Sequence, residues 1–244
     1  MQKFFFLIAF VLVQMFLLGD PSDCRGQLSP RVGHGRTSIS VKPSSSQPVG
    51  DEEEKKSWVI LFDGNTLQGW EGNKKFFRVE DRSIVAGSLK SKIPHNEFLC
   101  TQKSYDNFEL RLKAKLVGAG KNAGIQFRSQ RIANHHEVIG YQCDMGQMKG
   151  HSIWGYLYDE SRRRKFLVEA DPEKTDRNTK FEDWNDLVVR CQGHHVKIWV
   201  NGFQTVDYLE KDRKIAKSGI IGLQIHGGPP AEAWYRDIKI KPLD

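Results

Sequence analysis

Three short segments of this chain each combine apolar residues with polar side chains able to do chemistry. Gln126 and Arg128 alternate with Ile125 and Phe127, Gln142 and Asp144 with Tyr141, Cys143 and Met145, and Gln224 and His226 with Ile221, Leu223 and Ile225. Successive side chains of a strand point to opposite faces, so each segment, if extended, buries its apolar set and presents its polar pair. Amides and a guanidinium are planar groups that pair with adjacent hydroxyls, which suits sugar recognition. A carboxylate with an imidazole exchanges protons near neutral pH, and the same two residues, Asp144 and His226, are candidate ligands for a divalent metal. A solvated outer face shows the same alternation, so the pattern alone leaves both readings open. A second group is Trp154, Tyr156, Tyr158 and Glu160, which alternate along 151–163. Trp154 and Tyr158 offer flat platforms for sugar rings with Glu160 beside them, while core packing is the other reading of these aromatics.

The elements that would position these residues are strands. Phe108, Leu110, Leu112 and Ala114 share one face opposite charged residues, and the same period of two recurs in 123–128, 187–191, 196–200 and 235–240. Asn201-Gly202 between two such runs predicts a tight hairpin. Gly193-His194-His195 marks another turn, and adjacent histidines there point apart rather than toward one metal. Many short strands without a long helical stretch predict an all-β, antiparallel sandwich or barrel. Trp70 and Trp184 are expected to pack structurally.

Residues 1–19 combine Lys3 with an apolar run too short for a membrane span and read as an export signal, with cleavage falling anywhere up to about residue 26. Residues 20–57 are rich in Pro, Ser and charge and read as a flexible linker, leaving 58–244 as one domain. The expected location is therefore periplasmic or extracellular, with no stable membrane insertion once the signal is removed. The net charge of +7 does not point to nucleic acid, because the cations are scattered among acids rather than interleaved with aromatics, and the one dense run, Arg162 to Lys165, reads as a solvated loop. Cys24, Cys100, Cys143 and Cys191 lack CxxC spacing, which argues against zinc; the last three are expected to be buried, with one disulfide among them chemically allowed.

The ordered motifs LFDGNTLQGW (61–70), YDNFELRLKAK (105–115), NAGIQFRS (122–129), GYQCDMG (140–146), GYLYDESRR (155–163), WNDLVVRC (184–191), KIWVNG (197–202) and GIIGLQIHGGP (219–229) resemble the 3-keto-disaccharide hydrolase domain family, related to concanavalin A-like lectins and glucanases. The resemblance implies a jelly-roll β-sandwich, export, and cleavage of glycosides oxidised at the sugar C3 position. It departs from a common family form, Gly-Tyr-Glu-x-Gln, by having Gln142 in the Glu place and Asp144 in the Gln place. A C3 ketone acidifies the hydrogen on C2, so a base can expel the anomeric substituent by elimination. The expected catalytic set is Asp144 or His226 as base with Arg128 polarising the carbonyl. Gln126, Gln142, Gln224, Trp154, Tyr158 and Glu160 are expected to bind substrate. A divalent metal on His226 and Asp144 is the alternative source of polarisation. A non-catalytic, lectin-like carbohydrate-binding module is the competing function.

Overall fold

A computed structural model describes residues 58–244, so the signal and linker expected over 1–57 lie outside the described residues. In chain order the strands are β1 (Val59–Ile60), β2 (Trp70–Glu71), β3 (Phe77–Glu80), β4 (Ser83–Ser88), β5 (Glu97–Tyr105), β6 (Phe108–Gly118), β7 (Asn122–Arg131), β8 (Val138–Met148), β9 (His151–Ser152), β10 (Leu157–Glu160) and β11 (Phe166–Val168). A short helix, α1 (Pro172–Asn178), precedes β12 (Asn185–Gln192), β13 (His195–Val200), β14 (Phe203–Leu209), β15 (Gly219–Ile225) and β16 (Ala231–Pro242). They form two antiparallel sheets. The first runs β14-β13-β12-β6-β16-β4-β3 with β1 on β16; the second runs β11-β10-β8-β7-β15-β5-β2 with β9 on β8. This is the expected antiparallel jelly-roll sandwich of the concanavalin A-like type.

The alternation of β6 shows why the layers close. Phe108, Leu110, Leu112, Ala114 and Leu116 are buried, and they meet Ile125, Phe127, Tyr141, Cys143, Leu223 and Ile225 from the second sheet in one core. Trp70 packs into that core and donates its indole N–H to the Leu61 carbonyl at 2.7 Å. Asn201 and Gly202, both with positive φ (50° and 83°), make the β13–β14 turn that their sequence predicted. Cys100, Cys143 and Cys191 are buried free thiols, and burial raises the pKa of each, to about 12 for Cys100 and Cys191, so they stay protonated.

The basic run is not a solvated loop throughout. The side chain of Asp159, on the core-facing side of β10, is fully buried; Arg162 pairs with it at 2.7 Å, and Arg163 joins it to Glu210 (2.6 Å) at the end of β14. Tyr141 donates its hydroxyl to the same Glu210 carboxylate at 2.6 Å. The run thus fastens the edge of one sheet to the other.

The β7–β8 hairpin is bent. The register shifts between Phe127 and Gln130, where Arg128 takes φ 48°, and facing Gly140 takes φ 154°. Beyond this bend the tip lies across the outer face of its own sheet. Val138 packs on Phe98, Cys100 and Ile220, Arg131 bonds Glu71 at 2.8 Å, and Asn96 donates to Glu137 at 3.2 Å. Only glycine fits at the crease, because a Cβ at 140 would stand 2.6 Å from the Ser129 Cα. Gly140→Ala is therefore expected to cost about 2 kcal/mol or more, read as a lowered urea midpoint.

Candidate functional site

The outer face of the second sheet, walled by the folded hairpin tip, gathers most of the chemistry-bearing residues. One row across the strands is Tyr158, Gln142, Gln126 and Gly222; the next is Asp144, Gly124 and Gln224. The glycines are low points over which neighbouring side chains lie flat. A Cβ at Gly124 would stand 2.6 Å from the Gln142 Cδ, and one at Gly222 would stand 3.1 Å from the Gln126 Cβ. The flattened amides form a directional chain: Ser129 Oγ donates to Gln126 Oε1 (2.7 Å), Gln126 Nε2 to Gln142 Oε1 (2.7 Å), and Gln142 Nε2 to Asp144 Oδ1 (2.5 Å). Each orientation is dictated by the next, so the chain ends by presenting a donor to the carboxylate.

Two carboxyls here ionise far from their usual range. Asp144 is 3% exposed. Burial drives its pKa up to about 8, opposed by the Gln142 hydrogen bond and reinforced by the charge of Glu160. Glu160, half-buried, is pushed up to about 7 by burial and by Glu137. Tyr158 stands between them, its hydroxyl raised by burial and by the charges of Glu160 and Asp144, with its ring edge-on to Phe166 at 5.2 Å. Because the two carboxyls feel one another, their titrations belong to the pair.

His226 sits one row beyond Gln224. Its Nδ1 lies 2.7 Å from the Gly227 carbonyl oxygen, which can only accept, so Nδ1 carries the proton and Nε2 presents a lone pair when the ring is neutral. Four buried side-chain atoms of this region have no partner: both amide atoms of Gln224, Asn122 Oδ1 and Glu137 Oε2. Buried polar groups are nearly always satisfied in folded proteins, so these atoms are ones that ordered water or a bound molecule can satisfy.

Of the expected site residues, Gln126, Gln142, Asp144, Tyr158, Glu160, Gln224 and His226 share this face. Arg128 does not. The positive φ at the bend turns it away, and its guanidinium, 2% exposed, donates to the Asp106 carbonyl at 3.0 and 2.8 Å and the Gly193 carbonyl at 2.7 Å. It ties turns together, with four of its five N–H donors spent on Asp106, Asn107 and Gly193 and the group buried away from the site face. Trp154 is also elsewhere. It lies in the turn before β10 rather than on a strand, and is 2% exposed within the core. The metal expectation does not fit either. Among the described residues no group of three or more His, Cys, Asp or Glu converges on a point. Asp144 and His226 stand two strands and one row apart, roughly 12 Å between Cα atoms by strand geometry.

Glu137, Asn96 and Asn122 were missed by the sequence reading. Counting back from Tyr141 places Glu137 with the core-facing set, and only the crease at Gly140 brings it over the site. Asn96 links the tip to the exit of β15, donating to Glu137 and accepting from the Gly227 N–H at 3.0 Å.

Comparison with known proteins agrees with this architecture. The profile of the 3-keto-alpha-glucoside-1,2-lyase-like domain matches residues 57–241. A 3-keto-disaccharide hydrolase of Bacteroides thetaiotaomicron is 22% identical over 298 aligned positions covering 100% of both chains. Among solved structures, a Parabacteroides distasonis protein provisionally named a glycosyl hydrolase superposes with TM-score 0.57 at 23% identity, covering 80% of this chain and 98% of its own. The carbohydrate-binding module CBM66 of Bacillus subtilis superposes with TM-score 0.53 at 13% identity, over 76% and 95%. At these identities the superpositions speak to the fold alone. The family match covers most of the chain, and the chain belongs to the 3-keto-alpha-glucoside-1,2-lyase-like domain family.

Proposed function

We propose that this chain is an exported enzyme that cleaves 3-keto-glycosides by elimination followed by hydration, in the face that carries Asp144 and Glu160. The observation that supports this best is one buried and one half-buried carboxyl, both raised toward neutrality, on the same face as the unpartnered Gln224 amide. A module that only binds sugars has no use for such a costly arrangement. At neutral pH Asp144 holds its proton and Glu160 is partly ionised, which divides the roles. Glu160 removes the C2 hydrogen, and the electrons of that C–H bond pass into the enolate of the C3 ketone. Collapse of the enolate forms the C1–C2 double bond and breaks the C1–O bond, while Asp144 gives its proton to the departing oxygen. Water then adds at C1 and a proton returns to C2, so no oxidant or reductant is consumed.

With Arg128 committed elsewhere, the donor for the developing enolate oxygen is Gln224 Nε2, which has no other partner. Gln126 and Gln142, fixed by their chain, orient hydroxyls, and Tyr158 offers its ring to the sugar. His226 Nε2 is a second acceptor at the far end. Gln224→Leu is expected to raise stability by about 1 kcal/mol, since a buried unpaired amide is replaced by an apolar group of similar size. The same change should lower kcat by at least tenfold. Thermal melting and steady-state kinetics on one preparation read both.

The lectin-like reading makes the opposite forecast for turnover. Purified protein is given a panel of 3-keto and unoxidised disaccharides, with product release and equilibrium binding followed in parallel. Release from the 3-keto members alone supports the enzyme. Binding of ordinary glycans with no release from any member sinks it and leaves the module.

A further inference from the structure

The outer face of the first sheet, on the opposite side of the sandwich, carries a pattern that sugar cleavage does not use. Along the β6–β16 pair the facing residues are Lys115 and Trp234, Lys113 and Arg236, and Arg111 and Lys239. Like charges directly opposite on neighbouring strands repel, yet two of these rows set cation against cation. Carboxylates answer part of that charge: Asp186 reaches Lys113 and Glu109 reaches Arg111, each at 2.6 Å, and Asp237 stands 3.8 Å from Arg236. Lys115 and Lys239 make no ion pair among the described residues. Their ammonium groups lie over indoles instead, Lys115 at 4.6 Å from Trp234 and 5.1 Å from Trp184, Lys239 at 4.9 Å from Trp58. Arg236 covers Trp184 at 4.0 Å and Arg111 covers Trp58 at 5.0 Å. Trp184, expected to pack into the fold, is thus part of a surface strip.

Cations and aromatics that look scattered in the sequence are therefore interleaved along one face. A cavity of about 960 Å³ opens beside Arg111, Lys113, Arg236 and Lys239. Aspartates share its rim, of which Asp63 is held by the N–H groups of Asn65 and Thr66, and Asp186 by Lys113.

We propose that this strip binds an acidic polysaccharide, with carboxylate groups on the cation ladder and ring faces against Trp58, Trp184 and Trp234. The mixture of charges favours a glycan over nucleic acid. Glu109, Asp186 and Asp237 would repel a closely spaced phosphodiester chain, whereas they accept hydrogen bonds from the hydroxyls of a sugar polymer whose charges are spread out. Cation–π contacts at such exposed sites are worth about 0.5–1 kcal/mol each, weak enough for a ligand to share the rings.

The test is affinity electrophoresis of the full chain in gels containing polygalacturonate, neutral dextran or single-stranded DNA. Lys115→Gln with Lys239→Gln is the informative double variant, because removing these two cations strands no carboxylate. Wild-type protein should be retarded by polygalacturonate and not by dextran. The double variant should bind polygalacturonate at least tenfold more weakly, with a melting temperature lowered by no more than several degrees, as the loss of its cation–π contacts allows, and unchanged cleavage of a 3-keto-glycoside on the opposite sheet. Trp184→Ala should weaken retention similarly. Absence of retardation, equal retardation of the double variant, or tighter retention by DNA overturns the proposal.

Discussion

Replacing Asp144 by Asn is expected to slow cleavage of a 3-keto-glycoside roughly 10²- to 10⁴-fold, the usual worth of a positioned proton donor, and to stabilise the protein in alkaline solution. The two effects have one cause. Asp144 is buried and neutral near pH 7, with a pKa of about 8 when folded against an ordinary value of 3.8. A carboxyl whose pKa is raised by folding favours the folded state fully below the unfolded value, and loses that contribution as pH rises toward the folded one. The wild-type protein should therefore weaken progressively between about pH 4 and 8, with the full cost of a buried charge above that. Asparagine keeps an oxygen to accept from Gln142 and carries no charge. Its melting temperature should exceed that of wild type by several degrees at pH 9 and by little at pH 4. Kinetically, the paired ionisations of the free protein near 7 and 8 predict a narrow bell for kcat/KM. Asp144→Asn should remove its alkaline limb and Glu160→Gln its acidic limb. Identical pH profiles in wild type and both variants would remove these carboxyls from the chemistry.

The largest stability effect is expected at Arg163. Its guanidinium bridges Asp159, whose side chain is fully buried, and Glu210, which is nearly so. Arg163→Ala leaves Asp159 to Arg162 alone and Glu210 to the hydroxyls of Tyr141 and Tyr208 and the Asp212 N–H. Breaking a buried pair from one side is expected to cost about 3 kcal/mol, with no loss of kcat in the protein that folds. The sign with pH is opposite to that at Asp144. Burial acts to raise the Glu210 pKa, but Arg163, Tyr141 and the Asp212 N–H together bring it down to about 2 from 4.5. Its contribution is present above pH 4.5 and is lost as pH falls through about 2. The gap between wild type and Arg163→Ala in urea midpoint should therefore be wide at pH 7 and close toward pH 2. A gap that stays constant would assign Arg163 a packing role rather than an electrostatic one.

What the sequence made legible was whatever depends on neighbours two residues away. The alternation in β6 named its core face, Asn201-Gly202 named its hairpin, and the polar pairs of β8 and β15 named one side of the site. What it hid depends on a break in that parity or on contacts distant in the chain. A single residue at φ 48° turns Arg128 out of the site. The crease at Gly140 brings Glu137 in, although counting by twos places it with the core. Trp154 fits a strand pattern yet occupies a turn. The ion pair between Arg163 and Glu210 and the rows joining β6 to β16 link segments that no local pattern connects. Glu160, which its sequence marks as a substrate contact, is proposed as the base only because burial and Glu137 raise its pKa, and neither is visible in the sequence.

The central claim, that the Asp144 face removes a proton from C2 of a 3-keto-sugar, is tested most directly by running the reaction in D₂O and examining the released sugar by NMR. Elimination and rehydration place solvent deuterium on C2 of every product molecule, at a rate above the enzyme-free exchange that Glu160→Gln slows roughly 10²- to 10⁴-fold. Product released with its original C2 hydrogen intact would contradict that claim and point to direct displacement at C1.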